Sequence, residues 1–356
     1  MKSGVKMKDL MLQRSDLAIE AVEQFVGRVN DENRGVIKNE QQEGELKITC
    51  IDILKEGEKQ TGKAAGRYIS IDTSKLTLQT ADALELTRKS LSKQLEQFLA
   101  HKNIKADATC LVVGLGNEHI TPDALGPRVL DNVIVTRHLY EIASNELADD
   151  YRKVSALAPG VMGLTGIETF DIIESVVKKT KPDFLIVVDA LAARAVNRVN
   201  KMIQMTDTGI APGSGVGNKR RKIDANALGI PVIAIGIPTV VDAVSVTHDT
   251  IDLLLKHLSQ SLNQKNRQRA SQNSQQNEAQ AVELAQPDHA TKKEFFGKIG
   301  LLNEAEKRQL LTEVLTPSGD NLIVTPKSID AEIDDLSKLI SNALNVALHP
   351  KISFSA

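Results

Sequence analysis

Three short runs that are apolar at almost every position, ATCLVVGLG (108–116), FLIVVDA (184–190) and PVIAIGIP (231–238), constrain this chain more than any other feature. A strand with one wet face alternates apolar and polar residues, whereas a continuously apolar strand must be covered on both sides. Helical periodicity at about 81–103, 125–146, 167–180 and 240–258 supplies that cover. The expected fold is α/β: a mostly parallel sheet with helices on both faces, its strands joined by crossover helices. Ligands of such sheets bind beyond the carboxyl ends of the strands. The residues of interest are then 114–127, 189–194 and 236–242.

Around this core the sequence predicts smaller pieces. LKITCIDIL (46–54) and RYISI (67–71) alternate as half-buried strands do, giving a small N-terminal strand pair with the turn-rich KEGEKQTGKAAG between them. SDLAIEAVEQFVGRVN (15–30) reads as a helix with Ser15 or Asp16 as its cap, and 31–45 reads as a polar loop. Residues 259–292, rich in Gln, Asn and Ser, bury too little to repay the entropy of ordering and read as a linker or exposed insertion. Beyond them lies a C-terminal helical extension containing EAEKRQLLTEVL, a short strand in NLIVTP, and a closing amphipathic helix in SIDAEIDDLSKLISNALNVAL.

Composition removes several functional classes. With 356 residues, 41% apolar and 25% charged, the chain is globular and large enough for one large domain or two ordinary ones. A net charge of −2 argues against a nucleic-acid surface, and 3% aromatics without Trp leave little for base stacking. No run of 18 apolar residues occurs, and the charged MKSGVKMKDLMLQRSD lacks a signal-peptide core, so neither a membrane span nor standard secretion is expected. Cys50 and Cys110 sit in apolar strand-like runs without CxxC spacing; we expect both to be buried and the setting to be reduced and cytosolic.

The first chemical candidate is GLGNEHITPDALGP (114–127), which leaves one buried strand and enters a helix: its glycines permit a tight turn and Asp123 falls near the helix N-terminus. On its own Asp123 reads equally as a cap. The second is Asp189, directly after FLIVV. Two carboxylates at the ends of neighbouring parallel strands can share one crevice, where one holds a proton. One then activates a water while the protonated partner polarises a scissile carbonyl, with no nucleophilic Ser or Cys required. The third is TDTGIAPGSGVGNKRRK (206–222), a loop of exposed amides that lacks the spacing and the terminal GK[ST] of a P-loop, just as GLGNEH fails to complete GxGxxG. Its run Lys219–Lys222 reads as a solvated loop able to attract an acidic peptide. A metal reading would join Asp123 and Asp189 to His119 or His248, and a nucleotide-binding, non-enzymatic reading would use 206–222; neither has the expected ligand spacing.

Taken in order, GLGNEHITPDALGP, VVDALAAR, DTGIAPGSGVGNKRRK and LGIPVIAIGIPTVVDA resemble the germination proteases of spore-forming Firmicutes, which degrade small acid-soluble spore proteins. The likeness runs from about Arg14 to His349 and is interrupted at 259–292. That family is similar in fold to hydrogenase-maturation endopeptidases, whose GxGNxLxxD(E/D)G loop is matched here, although their nickel-reading histidine has no counterpart in this sequence. The resemblance implies Asp123 and Asp189 as the catalytic pair without metal or other cofactor, with Gly116, Asn117, Gly213, Ser214 and Gly215 binding substrate or supporting the site. It also implies a homotetramer of the forespore and spore core, and a zymogen that cuts itself between Asp16 and Leu17. The corresponding division is 1–16 propeptide, 17–258 catalytic domain, 259–292 linker and 293–356 C-terminal helical segment packing on the catalytic domain.

Overall fold

The computed structural model describes residues 15–25, 35–78, 80–142, 151–213, 220–270, 293, 297, 301–317, 322–349 and 351–352. These residues fall into two compact units, 15–241 with 324–352, and 242–323.

The first unit carries the sheet. Its strands are β1 (Val36–Glu43), β2 (Leu46–Ile53), β3 (Gly66–Asp72), β4 (Cys110–Gly114), β5 (Val154–Leu157), β6 (Phe184–Ala193), β7 (Met202–Thr206) and β8 (Val232–Asp242), in the spatial order β1-β2-β3-β7-β8-β6-β4-β5. β5, β4, β6 and β8 run parallel and contain the three apolar runs. Antiparallel pairing then adds β7, β3, β2 and β1, so the expected N-terminal pair is part of a four-stranded wing of the same sheet.

Both faces of the parallel core are covered, which is why its strands need no polar alternation. Cys110, Val112, Ile186, Val188 and Ile235 share one cluster with Leu91, Leu95 and Phe98, and with Ile333, Leu336, Ile340 and Leu344. Those side chains belong to the helices Ala81–His101 and Ile329–Leu348. Leu111, Val113, Leu185 and Val187 face the other way, onto Phe170, Ile173 and Val177 of the helix Thr169–Thr180. Each such side chain, fully buried, contributes about 1.5–3 kcal/mol.

Several expectations need correction. The loop foreseen at 31–45 contains β1, an edge strand in which only Val36 is buried, so no apolar period could mark it. The turn foreseen at 55–66 contains a helix, Lys55–Thr61, closed by Gly62 at φ 67°. The helix foreseen at 125–146 stops after Leu125–Leu130 and gives way to a 3₁₀ turn, Arg137–Glu141. Between them Thr136 is recruited by the sheet edge: its N–H donates to Val154 O (2.9 Å) and its hydroxyl to Arg152 O (2.5 Å). Strands β5 and β7 were not foreseen, and Cys50 is half-buried rather than buried.

The second unit begins as β8 ends. Asp242 caps the helix Ala243–Ala270 by accepting from Val244 N–H (3.0 Å) and the Ser245 hydroxyl (2.6 Å); the helix runs past 258 into the expected linker, whose first residues, 259–270, are thus helical, while 271–292 lie outside the described residues. A second helix, Glu304–Leu315, opens with a reciprocal capping box between Asn303 and Glu306. The short strand expected in NLIVTP is Ile323–Val324, and no helix among the described residues is long and apolar enough to cross a membrane.

Candidate active site

The loop that carries Asp123 is folded by close backbone approach. Gly116 has φ 117°, and a Cβ there would lie 1.9 Å from Asp123 O. At Gly126 a Cβ would stand 2.2 Å from Leu115 O and 2.7 Å from Val188 O. All of these are main-chain atoms, and Leu115 N–H donates to Val188 O at 2.8 Å, so they cannot yield without parting β4 from β6. Gly126→Ala is expected to cost about 3 kcal/mol, the upper end for overpacking, measurable as a fall in the denaturant midpoint.

Asp123 closes the 3₁₀ turn Thr121–Asp123, and its Oδ2 accepts from Asn117 N–H (2.8 Å). The loop is tied to β8 from below. A register shift between Leu191 and Ala192 leaves Thr239 opposite neither, and the buried Thr239 hydroxyl donates to Pro122 O (2.5 Å). Bulges of this kind recur beside functional sites because they re-aim a side chain. Asp189 lies within β6 rather than after it, as the strand continues to Ala193, and it is 6% exposed.

Burial pushes the Asp189 carboxyl well above the usual carboxylate range; the charges of Asp123 and then Asp16 push the same way, and the Ala190 amide pulls it back. Burial also raises Asp123, opposed by the Asn117 amide and by the charge of Arg220. Like charges sharing a low-dielectric site cannot all ionise, so the cluster retains a proton at pH values where isolated carboxylates have lost theirs.

The third carboxylate brings a peptide with it. Asp16 does not cap the helix Ala18–Phe25. Its N–H donates to Ala192 O (3.0 Å) and its Oδ2 accepts from Ala192 N–H (2.9 Å), which lays residue 16 against β6. The Asp16 carbonyl accepts from Lys63 Nζ (3.0 Å) and from Gln204 Nε2 (3.1 Å), and Gln204 Oε1 accepts from Ala18 N–H (2.6 Å). Leu17 is fully buried, with its N–H on Ser15 Oγ (3.1 Å). Ser15 Oγ donates to Glu20, whose carboxylate also accepts from Arg194 N–H (2.8 Å) and Ala195 N–H (3.1 Å).

The other sequence candidates are placed as follows. Gly213 sits in a turn at φ 70°, while Ser214 and Gly215 lie outside the described residues. The basic run is not simply solvated: Arg220 bears on Asp123, Arg221 pairs with Asp171 (2.7 Å) and lies over the Phe170 ring, and Lys222 pairs with Asp224 (3.2 Å). Exposed His119 stands 3.6 Å from Glu118. His248 belongs to the second unit, where Nε2 is 2.6 Å from Glu304. Among the described residues His248, Asp252 and Glu304 bring ligand-type atoms within 4.8 Å of one another, but Lys307 Nζ already reaches both carboxylates (3.3 and 3.1 Å) and supplies the cation there. Sequence reading missed Lys63 and Gln204, which lie in a stretch read as a turn and in an unforeseen strand, without a local motif to mark either.

A parallel α/β core that carries the buried Asp189 in one strand and the half-buried Asp123 in the loop after its neighbour, with the Asp16 residue of a peptide segment hydrogen-bonded to β6, has the makings of a peptidase. Comparison with known proteins gives that class its family. The model of the germination protease family matches residues 12–355. The chain is 48% identical to the germination protease of Bacillus velezensis over 99% of this chain and 98% of that one. It is 46% identical to that of Bacillus subtilis, covering 96% and 95%, and 46% identical to that of Priestia megaterium, covering 97% and 94%. The chain belongs to the germination protease family and is a peptidase.

Proposed function

We propose that the chain is the endopeptidase that initiates degradation of small acid-soluble spore proteins during germination, using Asp123 and Asp189 as an acid pair. We further propose that it is made as a zymogen, removes residues 1–16 by its own cut between Asp16 and Leu17, and works as a homotetramer in the forespore and spore core without metal or cofactor. The observation that carries this reading is Asp16 held on β6 by its N–H and its carboxylate, both bonded to Ala192 three positions after Asp189. An acidic residue preceding a buried apolar one, hydrogen-bonded to a core strand, has the form of a bound substrate.

In this mechanism the pair, both of whose carboxyls are raised by burial, shares one proton: one member is protonated and the other, ionised, draws a proton from water. The pair supplies both proton acceptor and proton donor. Proton transfer in both directions is therefore served by the pair itself, in contrast to the metal-dependent reading.

Incubating the purified full-length chain over a range of pH, with its mass followed in time, is expected to show loss of residues 1–16 together with the appearance of activity on a spore-protein substrate. Full activity in a chain that keeps all of its residues would overturn the zymogen. Exhaustive dialysis against a chelator is expected to leave the rates of both processing and substrate cleavage unchanged. Loss of activity on dialysis, restored by nickel or zinc, would favour the metal-dependent alternative.

A further inference from the structure

We propose that Lys63 and Gln204 are the oxyanion-binding pair for cleavage after Asp16, donating from Nζ and Nε2 to the carbonyl oxygen on which negative charge develops. The inference rests on the self-processing reading above and adds to it two residues outside the carboxylate pair.

The geometry is already that of a polarised carbonyl. Lys63 Nζ at 3.0 Å and Gln204 Nε2 at 3.1 Å both donate to Asp16 O, the atom on which negative charge develops as the tetrahedral intermediate forms. Lys63 also donates to Ser15 O (3.0 Å). Gln204 holds the segment from both sides, because its Oε1 takes Ala18 N–H while its Nε2 gives to Asp16 O. The carbonyl cannot rotate away from its donors without breaking the Ala18 contact or the Ala192 pairing on β6.

Lys63 is held rigidly enough for the task. It follows Gly62, which ends the helix Lys55–Thr61 in the left-handed region, and its own N–H donates to Thr61 Oγ1 (3.2 Å). The chain after it is pinned by Ala65 N–H on Glu58 Oε1 (2.8 Å) and by the Tyr68 hydroxyl on Ala64 O (2.8 Å). Burying an ammonium is costly, and burial weakens its hold on the proton while the charges of Asp16 and Glu20 strengthen it. Glu20 is committed to the amides of Arg194 and Ala195, and Lys63 Nζ is directed at main-chain oxygens. A half-buried cation aimed at the carbonyl of the bond to be cut is placed where charge appears during reaction.

The step balances as a hydrolysis. The water oxygen bonds to the Asp16 carbonyl carbon, one water proton passes to the ionised carboxylate of the pair, and the C=O electrons move onto the oxygen between Lys63 and Gln204. Collapse restores the C=O and breaks the bond to Leu17 nitrogen, which takes the proton of the protonated carboxyl. With the carbonyl served by Lys63 and Gln204, that proton is available for the amine, instead of being spent on polarising the carbonyl.

The test is the processing rate of full-length chains, read by mass, for the parent, Lys63→Met, Lys63→Arg and Gln204→Met, with Asp189→Asn as control and hydrogen exchange at the Ala18 and Ala192 amides as the readout of segment placement. Removing one donor of an oxyanion site typically costs about 10²–10³ in rate. Lys63→Met and Gln204→Met are expected to slow by about that factor, Lys63→Arg to recover most of the rate, and the Ala192 amide to stay protected in all of them. Gln204→Met, which keeps the buried charge balance intact, carries the test if Lys63→Met does not fold. Processing within threefold of the parent in folded Lys63→Met or Gln204→Met overturns the inference. So does a slowing that occurs only with loss of Ala192 protection, which would make the pair an anchor. If Asp189→Asn processes normally, the acid-pair reading fails instead. If Asp189→Asn is inactive while the Lys63 and Gln204 variants run at the parental rate, this inference alone fails.

Discussion

Asp189→Asn and Asp123→Asn are each expected to lower cleavage of a spore-protein substrate by about four orders of magnitude, the scale seen when one member of a concerted catalytic unit is removed. The shape of the site should survive, because the carboxamide is close in size to the carboxylate and neither carboxylate takes part in the bonds that hold the loop to the strands: Leu115 N–H on Val188 O, and the Thr239 hydroxyl on Pro122 O. Asn can neither take a proton from water nor deliver one, in the place of Asp123 or of Asp189. The double variant should be no slower than either single one, since the pair transfers one proton in and one out and half of it does neither. Mass-resolved cleavage assays on all three variants, alongside thermal unfolding to show that they fold, give the answer. Near-parental activity in either single variant would move the chemistry away from this cluster.

Those two carboxylates were legible in the sequence because each is carried by a local pattern. The glycines of 114–127 announce a backbone that must approach another backbone closely, and a charged residue ending an apolar run has few structural excuses. The same patterns misplace details: β6 and β8 run on past Asp189 and Gly236, because strand length is set by pairing partners and not by the run itself. What could not be read is what only tertiary contact creates. Lys63 meets Asp16 across 47 positions and Gln204 meets it across 188, and neither belongs to a motif. Asp16 itself looks like a helix cap until Ala192 offers it an amide and a carbonyl in another part of the chain. The edge strand β1 was invisible for a related reason: seven of its eight residues in VIKNEQQE are not buried, so it carries no core period at all.

The pH dependence of processing and that of stability should run in the same direction, both falling as pH rises, and both follow from Asp189. Its carboxyl is raised by burial first and by the charges of Asp123 and Asp16 next, so the folded state retains its proton above pH 3.8, where an unfolded chain has released it. In that window the native state binds more protons than the unfolded state, and stability falls as pH rises until the folded carboxyl has also ionised. Asp189→Asn removes this penalty. The variant should therefore melt above the parent at pH 7, and the difference should shrink toward zero as pH is lowered to about 4, the ordinary carboxylate range. Activity moves with the same proton. Once pH exceeds the apparent value of the coupled pair, each further pH unit leaves a tenfold smaller fraction of molecules with one proton between Asp123 and Asp189, so processing should slow about tenfold per unit. Three units on the alkaline side then amount to roughly a thousandfold. Processing rates and melting temperatures collected over the same buffers test both limbs together. A processing rate that does not fall at any pH up to the alkaline limit of folding, or an Asp189→Asn variant less stable than the parent at pH 7, would show that the buried carboxyl is not the group holding the proton.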